Sequence, residues 1–307
     1  MTGRSSPGPL GTGALLAEDI VRDDTALMLS YDVHQHLWPE ALIERLRARP
    51  ERPRLRGSVL ELPSGDWTVD LDAHTLEARL DLLDRDEIDV AVISCPPTLE
   101  LDEELEEAYH DGITEVAAAS NGRLLALASG SARDGFAGAC VPAWNLATLT
   151  GLEPLLDELE RRGALLFVHP APAPAPADTP SWWVAVVDYT SQMQAAYAAW
   201  IAHYADRWPD LSVVFAILAG GAPFQLERLA SRGIDARSVV RPNVYLDTAS
   251  YGPRALELSL ATYGVAQLVY GSDAPVIDSE PTLRSIRSFG QAVTDVVCRD
   301  NPARLLQ

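Results

Sequence analysis

The chain has 307 residues, a formal net charge of −20 and an apolar fraction of 47 %. That apolar content is enough for a large core and excludes a disordered chain. The acidity argues against nucleic acid and anionic membranes as partners, since both require basic surface. No apolar run reaches the roughly 18–20 residues that span a bilayer. The first 26 residues lack a basic stretch followed by an apolar one, so no signal peptide is expected. Three scattered cysteines, Cys95, Cys140 and Cys298, make neither a disulfide framework nor a cysteine-rich zinc site, and a cytoplasmic setting is the default. All 24 basic side chains are arginine. The absence of lysine excludes Schiff-base chemistry and a Walker-type phosphate loop.

Residues 1–26 read as a polar N-terminal extension, and 27–307 as one domain. Eight short apolar and β-branched runs follow in chain order: Leu29–Leu37, Asp89–Pro96, Leu124–Ser131, Gly138–Asn145, Ala164–Ala171, Ser212–Ala219, Asn243–Ser250 and Gln267–Pro275. Helical periodicity falls between most of them. Thr75–Glu87 puts Leu76, Leu80 and Leu83 on one face, and Glu153–Arg162 does the same with Leu155, Leu156 and Leu159. Leu101–Ser120, Ser191–Trp208, Phe224–Arg232, Pro253–Tyr263 and Leu283–Arg299 are further helical stretches. Alternating strands and helices imply a parallel sheet, and eight units predict a (β/α)8 TIM barrel. The link Ala132–Ala137 is too short for a helix, which keeps a doubly wound open sheet as the alternative. Residues 50–71 read as a small hairpin insertion after the first βα unit, with Ser58–Pro63 and Asp66–Asp70 flanking Ser64-Gly65. The run APAPAPADTP at 171–180 favours extended polyproline II and reads as a loop over the barrel mouth, or else as a linker.

The chemistry sits at predicted strand ends. His34 and His36, two apart on the first strand, point to the same face at its C-terminal end, where barrel enzymes keep their active sites. A divalent metal would use both lone pairs; a hydrogen-bonded polar pair is the other reading. His169 ends the fifth run and Asp273 the eighth. Alone, the first reads as a hydrogen-bonded barrel residue and the second as a turn or cap. Together, three nitrogens and one carboxylate suit a single zinc ion, with manganese or iron as alternatives. Asp32 shares the parity of His34 and His36 and points inward one layer deeper, in a supporting role.

Aromatic residues recur at the predicted mouth: Trp38, Trp144, Trp182, Trp183 and Tyr251. They fit a flat apolar or aromatic substrate, although tryptophan is more often core. Arg133 is a candidate carboxylate clamp or a surface arginine, and Asp247 a substrate contact or a structural hydrogen-bond partner. His74, His110 and His203 fall in helices or helix starts and read as structural.

The segments DVHQHLWPE, LLFVHP, FAILAGGAPFQLERL, YGSDAP and NPARLL occur in order from Tyr31 to the C-terminus. Together they resemble the second amidohydrolase family, related to the aminocarboxymuconate-semialdehyde decarboxylases. The resemblance implies a (β/α)8 barrel with one metal ion on His34, His36, His169 and Asp273. It also implies hydrolysis or non-oxidative decarboxylation of small acids and lactones. In that family the sixth strand usually ends in a histidine before a glycine turn; here Ile217 stands in its place and the glycines remain as Gly220-Gly221. Asp273 is then the one candidate for proton transfer. The first functional expectation is hydrolysis of an amide, ester or lactone. The alternative is decarboxylation of an aromatic or unsaturated acid, and the third is a non-catalytic ligand-binding barrel. The expected partner is a small molecule, with a homo-oligomer left open.

Overall fold

The computed structural model describes residues 29–149 and 151–307, so the N-terminal extension lies outside the described residues. Eight parallel strands run in sequence order, each paired with the next: Tyr31–His36, Val90–Ser94, Leu124–Ser129, Gly138–Pro142, Leu165–His169, Val213–Phe215, Val244–Asp247 and Leu268–Val269. The eighth meets the first. The Val33 N–H donates to the Tyr270 carbonyl at 2.9 Å and the His36 N–H to the Ala274 carbonyl at 2.8 Å. Gln35 also bridges Ala274 in the parallel sense. An open doubly wound sheet would leave those two edges apart; the sheet is a barrel. Strands such as VAVIS and LLFVH are buried on both faces, because one face lines the barrel and the other is covered by helices.

The outer layer includes helices Glu40–Ala48, Leu76–Asp86, Glu103–Ala119, Glu153–Arg162, Tyr189–Ala199, Gln225–Ala230, Pro253–Tyr263 and Glu280–Arg287. Two have side-chain caps that fix where they start. The Thr75 hydroxyl accepts from the Ala78 N–H, and the Asp102 carboxylate from the Leu105 N–H. No helix separates the third strand from the fourth, as the short link implied.

Several boundaries differ from the periodicity. The insertion is a three-stranded antiparallel sheet, Arg54–Arg56, Val59–Leu62 and Gly65–Thr68, rather than a single hairpin. Leu62 pairs with Gly65, so the tight turn is Pro63-Ser64 rather than Ser64-Gly65. The fourth run ends as strand at Pro142, whose extended backbone starts the short helix Ala143–Ala147. Trp144 therefore lies on a helix and not at a strand end. The stretch read as one helix over Leu283–Arg299 breaks at Gly290, whose φ of 93° ends the first helical piece.

Close strand packing also depends on a missing side chain. A Cβ added to Gly138 would lie 2.0 Å from the Leu165 carbonyl oxygen, a backbone atom of the neighbouring strand. Gly138→Ala is therefore expected to destabilise the protein by about 1–3 kcal/mol, as overpacking typically does. Thermal unfolding should register this as a drop in Tm of several degrees.

Candidate metal centre

The first strand delivers His34 and His36, the fifth ends on His169, and the segment after the eighth brings in Asp273. One ligand-capable atom from each of the four lies within 4.8 Å of all the others. All three histidines are buried, and the Asp273 side chain is 17 % exposed, so the carboxylate is the member that solvent reaches. The Nε2 atoms of His34 and His36 are 3.2 Å apart. Asp273 Oδ1 lies 3.1 Å from the His36 Nε2 and 3.6 Å from that of His34. Phe167, two residues before His169 and on the same side of the strand, packs edge-on against the His34 ring at 4.9 Å.

Each ring is oriented from behind. His34 Nδ1 lies 2.7 Å from Asp247 Oδ2, His36 Nδ1 3.2 Å from the Ser94 carbonyl oxygen, and His169 Nδ1 2.9 Å from the Pro170 carbonyl oxygen. The acceptors at His34 and His169 require hydrogen on Nδ1, so a neutral ring there directs its bare Nε2 inward, while His36 Nδ1 also lies 3.2 Å from the Ser94 hydroxyl. Lone pairs from buried imidazoles and a carboxylate oxygen crowded this closely repel unless a cation lies among them. The residues therefore fit a divalent metal ion on chemical grounds.

The titration tendencies agree with that reading. Burial drives the His34 pKa down, yet the carboxylates of Asp247, Asp273 and Asp32 outweigh it and raise it to about 9. Burial pushes His36 and His169 below the ordinary histidine value. Asp273 is raised by burial but more strongly lowered by its hydrogen bond to His36 and by the three histidine rings, and ends below the usual carboxylate range. The carboxylates favour charge on His34 and the rings favour an ionised Asp273, while burial disfavours charge on His36 and His169.

A polar layer lies beneath. Asp32 Oδ1 accepts from the backbone N–H groups of His34 and Ser272 at 3.1 and 3.0 Å, while Oδ2 accepts from Gln35 Nε2 at 2.7 Å. Gln35 in turn accepts from Arg79, which also donates to the His36 carbonyl, both at 2.8 Å. Asp32 thus fixes the backbone that carries His34. Burial raises its pKa to about 6 against the lowering effect of those bonds.

The remaining sequence candidates have varied positions. Asp247 is wholly buried behind His34, on the far side of that ring from Asp273. This geometry corrects the substrate-contact reading in favour of the structural one. Trp38 is buried and stacks on His74 at 4.4 Å, so its ring is packed rather than presented. Arg133 is engaged by Glu107 and Ser131. Trp144 and Trp182 are about half exposed, Trp182 stacks on Trp183, and Tyr251 is partly buried against the core. The Pro-Ala segment leaves the fifth strand directly after His169, and Gln192 holds Ala171 by hydrogen bonds to both its N–H and its carbonyl.

Two residues escaped the sequence reading. Ser94 ends the second strand, and its carbonyl orients His36; a small polar residue closing an apolar run was its one signal. Tyr189 begins a helix and carried no motif. Burial raises its phenol to about 12, helped by the charges of Asp273, Asp188 and Glu100.

The sixth strand gives way to an unusual turn. Ile217, Leu218 and Ala219 have φ of 48°, 49° and 49°, followed by Gly220 and Gly221 at 62° and 87°. Left-handed backbone at non-glycine residues costs about 1–3 kcal/mol each and persists where surrounding structure enforces it. The Ile217 N–H donates to Asp247 Oδ1 at 2.9 Å, which places this turn against the carboxylate that orients His34.

The family model described as Amidohydrolase matches residues 31–307. The chain belongs to this family and is an enzyme. No curated protein matches it. Among solved structures, it is similar to the apo form of IDCase from Metarhizium anisopliae, at 19 % identity and a TM-score of 0.72, covering 91 % of this chain and 97 % of that one. The 5-carboxyvanillate decarboxylase LigW from Sphingomonas paucimobilis gives 18 % identity and a TM-score of 0.69, covering 91 % and 99 %. A dihydroxybenzoic acid decarboxylase from Polaromonas sp. JS666, with bound manganese and the inhibitor 2-nitroresorcinol, gives 15 % and 0.64, covering 90 % and 96 %. At such identities the likeness establishes the shared barrel fold.

Proposed function

We propose that this chain is a metal-dependent, non-oxidative decarboxylase of a small aromatic or unsaturated carboxylic acid. The observation that carries the reading is the shortage of bases. The three histidines are committed at Nδ1 to buried partners, Ile217 stands where a further histidine is expected, and Asp273 is the partly exposed titratable group of the cluster. Hydrolysis calls for a base to activate water and an acid for the leaving group. Decarboxylation needs one proton delivered to carbon. The decarboxylases of similar fold, one with bound manganese, support the same choice.

A divalent ion, zinc or alternatively manganese or iron, would be held by His34, His36, His169 and Asp273 and would supply an electrophile that binds and polarises the acid. The chain's own residues do the rest. Asp273 picks up one proton from solvent at the mouth. The bond from ring carbon to carboxylate breaks, carbon dioxide departs, and the electron pair left on carbon takes the proton from Asp273, which is left ionised for the next turnover. The low pKa of Asp273 keeps it ionised most of the time but makes its protonated form a strong acid toward so basic a carbon. Burial of the histidines keeps water away from the reacting face.

Hydrolysis of an amide, ester or lactone is the second reading, favoured by the position of Asp273, which could equally take a proton from water. Incubating the metal-loaded protein with panels of aromatic acids, lactones and esters separates the two. Carbon dioxide release from an acid is expected, and acid production from esters or lactones without carbon dioxide would select hydrolysis.

A further inference from the structure

We infer that Asp247 is the positioning residue of the metal centre, binding the His34 ring and the left-handed turn at Ile217 to one carboxylate. The inference rests on the proposed metal site and goes beyond it by assigning a residue that does not itself reach the cluster. Asp247 is fully buried at the end of the seventh strand. Its two oxygens have separate tasks. Oδ1 accepts from the backbone N–H groups of Ile217 and Ala249, both at 2.9 Å. Oδ2 faces His34 Nδ1 at 2.7 Å.

This division makes the consequence of one substitution unambiguous. In Asp247→Asn the side chain keeps its shape, and the two backbone donors demand an oxygen opposite them. The amide NH2 must then occupy the former Oδ2 position and face His34 Nδ1. Two donors cannot share that contact, so the ring must offer Nδ1 as a lone pair and carry its hydrogen on Nε2. A protonated Nε2 cannot bind metal. The turn keeps its anchor while His34 is presented in the wrong tautomer. A merely structural Asp247 would predict the reverse, since Asn preserves both backbone bonds.

The test measures metal binding, not turnover. Wild-type and Asp247→Asn proteins are stripped with chelator and titrated with Zn2+ or Mn2+ against a chromophoric competitor, and the metal-free melting temperature of each is recorded. The expected result is an unchanged fold with metal affinity reduced by about 100-fold, the upper end of what loss of such a partner costs. Wild-type affinity in a folded Asp247→Asn protein overturns the inference. Failure of the wild type itself to bind either ion overturns instead the proposed metal site. If the variant does not fold, the wild-type protein loaded with Co2+ still decides. Its NMR spectrum should contain an exchangeable, hyperfine-shifted proton signal assigned to the Nδ1–H of His34. Absence of that signal would contradict the assignment.

Discussion

Purified His34→Ala/His36→Ala protein is expected to contain almost no metal and to show no catalytic activity, while retaining its barrel. Two of the four converging groups disappear together, and the remaining His169 and Asp273 form too small a set to hold an ion against buffer. Elemental analysis measures the first effect directly. Thermal unfolding measures it independently, because an ion that binds only the folded state stabilises it. At metal 100-fold above its Kd, that stabilisation is about 2.7 kcal/mol. Added metal should therefore raise the melting temperature of the wild type by several degrees and leave the double variant unmoved. Full metal content in the double variant would mean that the ion is held elsewhere.

Asp273→Asn addresses proton transfer separately from metal binding. Asn keeps an oxygen for the cluster but cannot carry the proton. Isoleucine stands at position 217 where a further histidine is expected, and the cluster histidines are held at Nδ1 by buried partners, so no other group is placed to substitute. Turnover should fall by at least about 10²-fold, the usual cost of losing a general acid or base, in protein shown to be loaded with metal. Ile217→Ala should cost far less, since isoleucine offers shape but no proton. A metal-loaded Asp273→Asn enzyme that turns over at near wild-type rate would reduce Asp273 to a ligand and require the proton to come from substrate or bulk water.

The barrel was legible because its signals are local. Each strand is a short apolar run, and the ends of the first and fifth carry His34, His36 and His169. His34 and His36 are adjacent on one strand face, so their convergence followed from parity alone. The less legible features arise from tertiary contact. Nothing in Val244–Asp247 tells that the terminal carboxylate turns toward a ring 213 residues earlier in the chain. The left-handed run from Ile217 to Gly221 is similarly hidden, because its first three residues have no intrinsic preference for positive φ and are held there by what surrounds them. Trp38 is a further case. Its position after the first strand suggested the mouth, while its ring is buried and stacked on His74, just ahead of the helix Leu76–Asp86. Side-chain chemistry at strand ends is written in the sequence; the second layer that orients it depends on which strands the closed barrel brings together.

The most direct test of the metal-centred account is elemental analysis of the wild-type protein, purified without chelator and equilibrated with zinc, manganese and iron before removal of free ions. The account predicts one divalent ion per chain. Recovery of the folded protein with no bound ion under these conditions would contradict it.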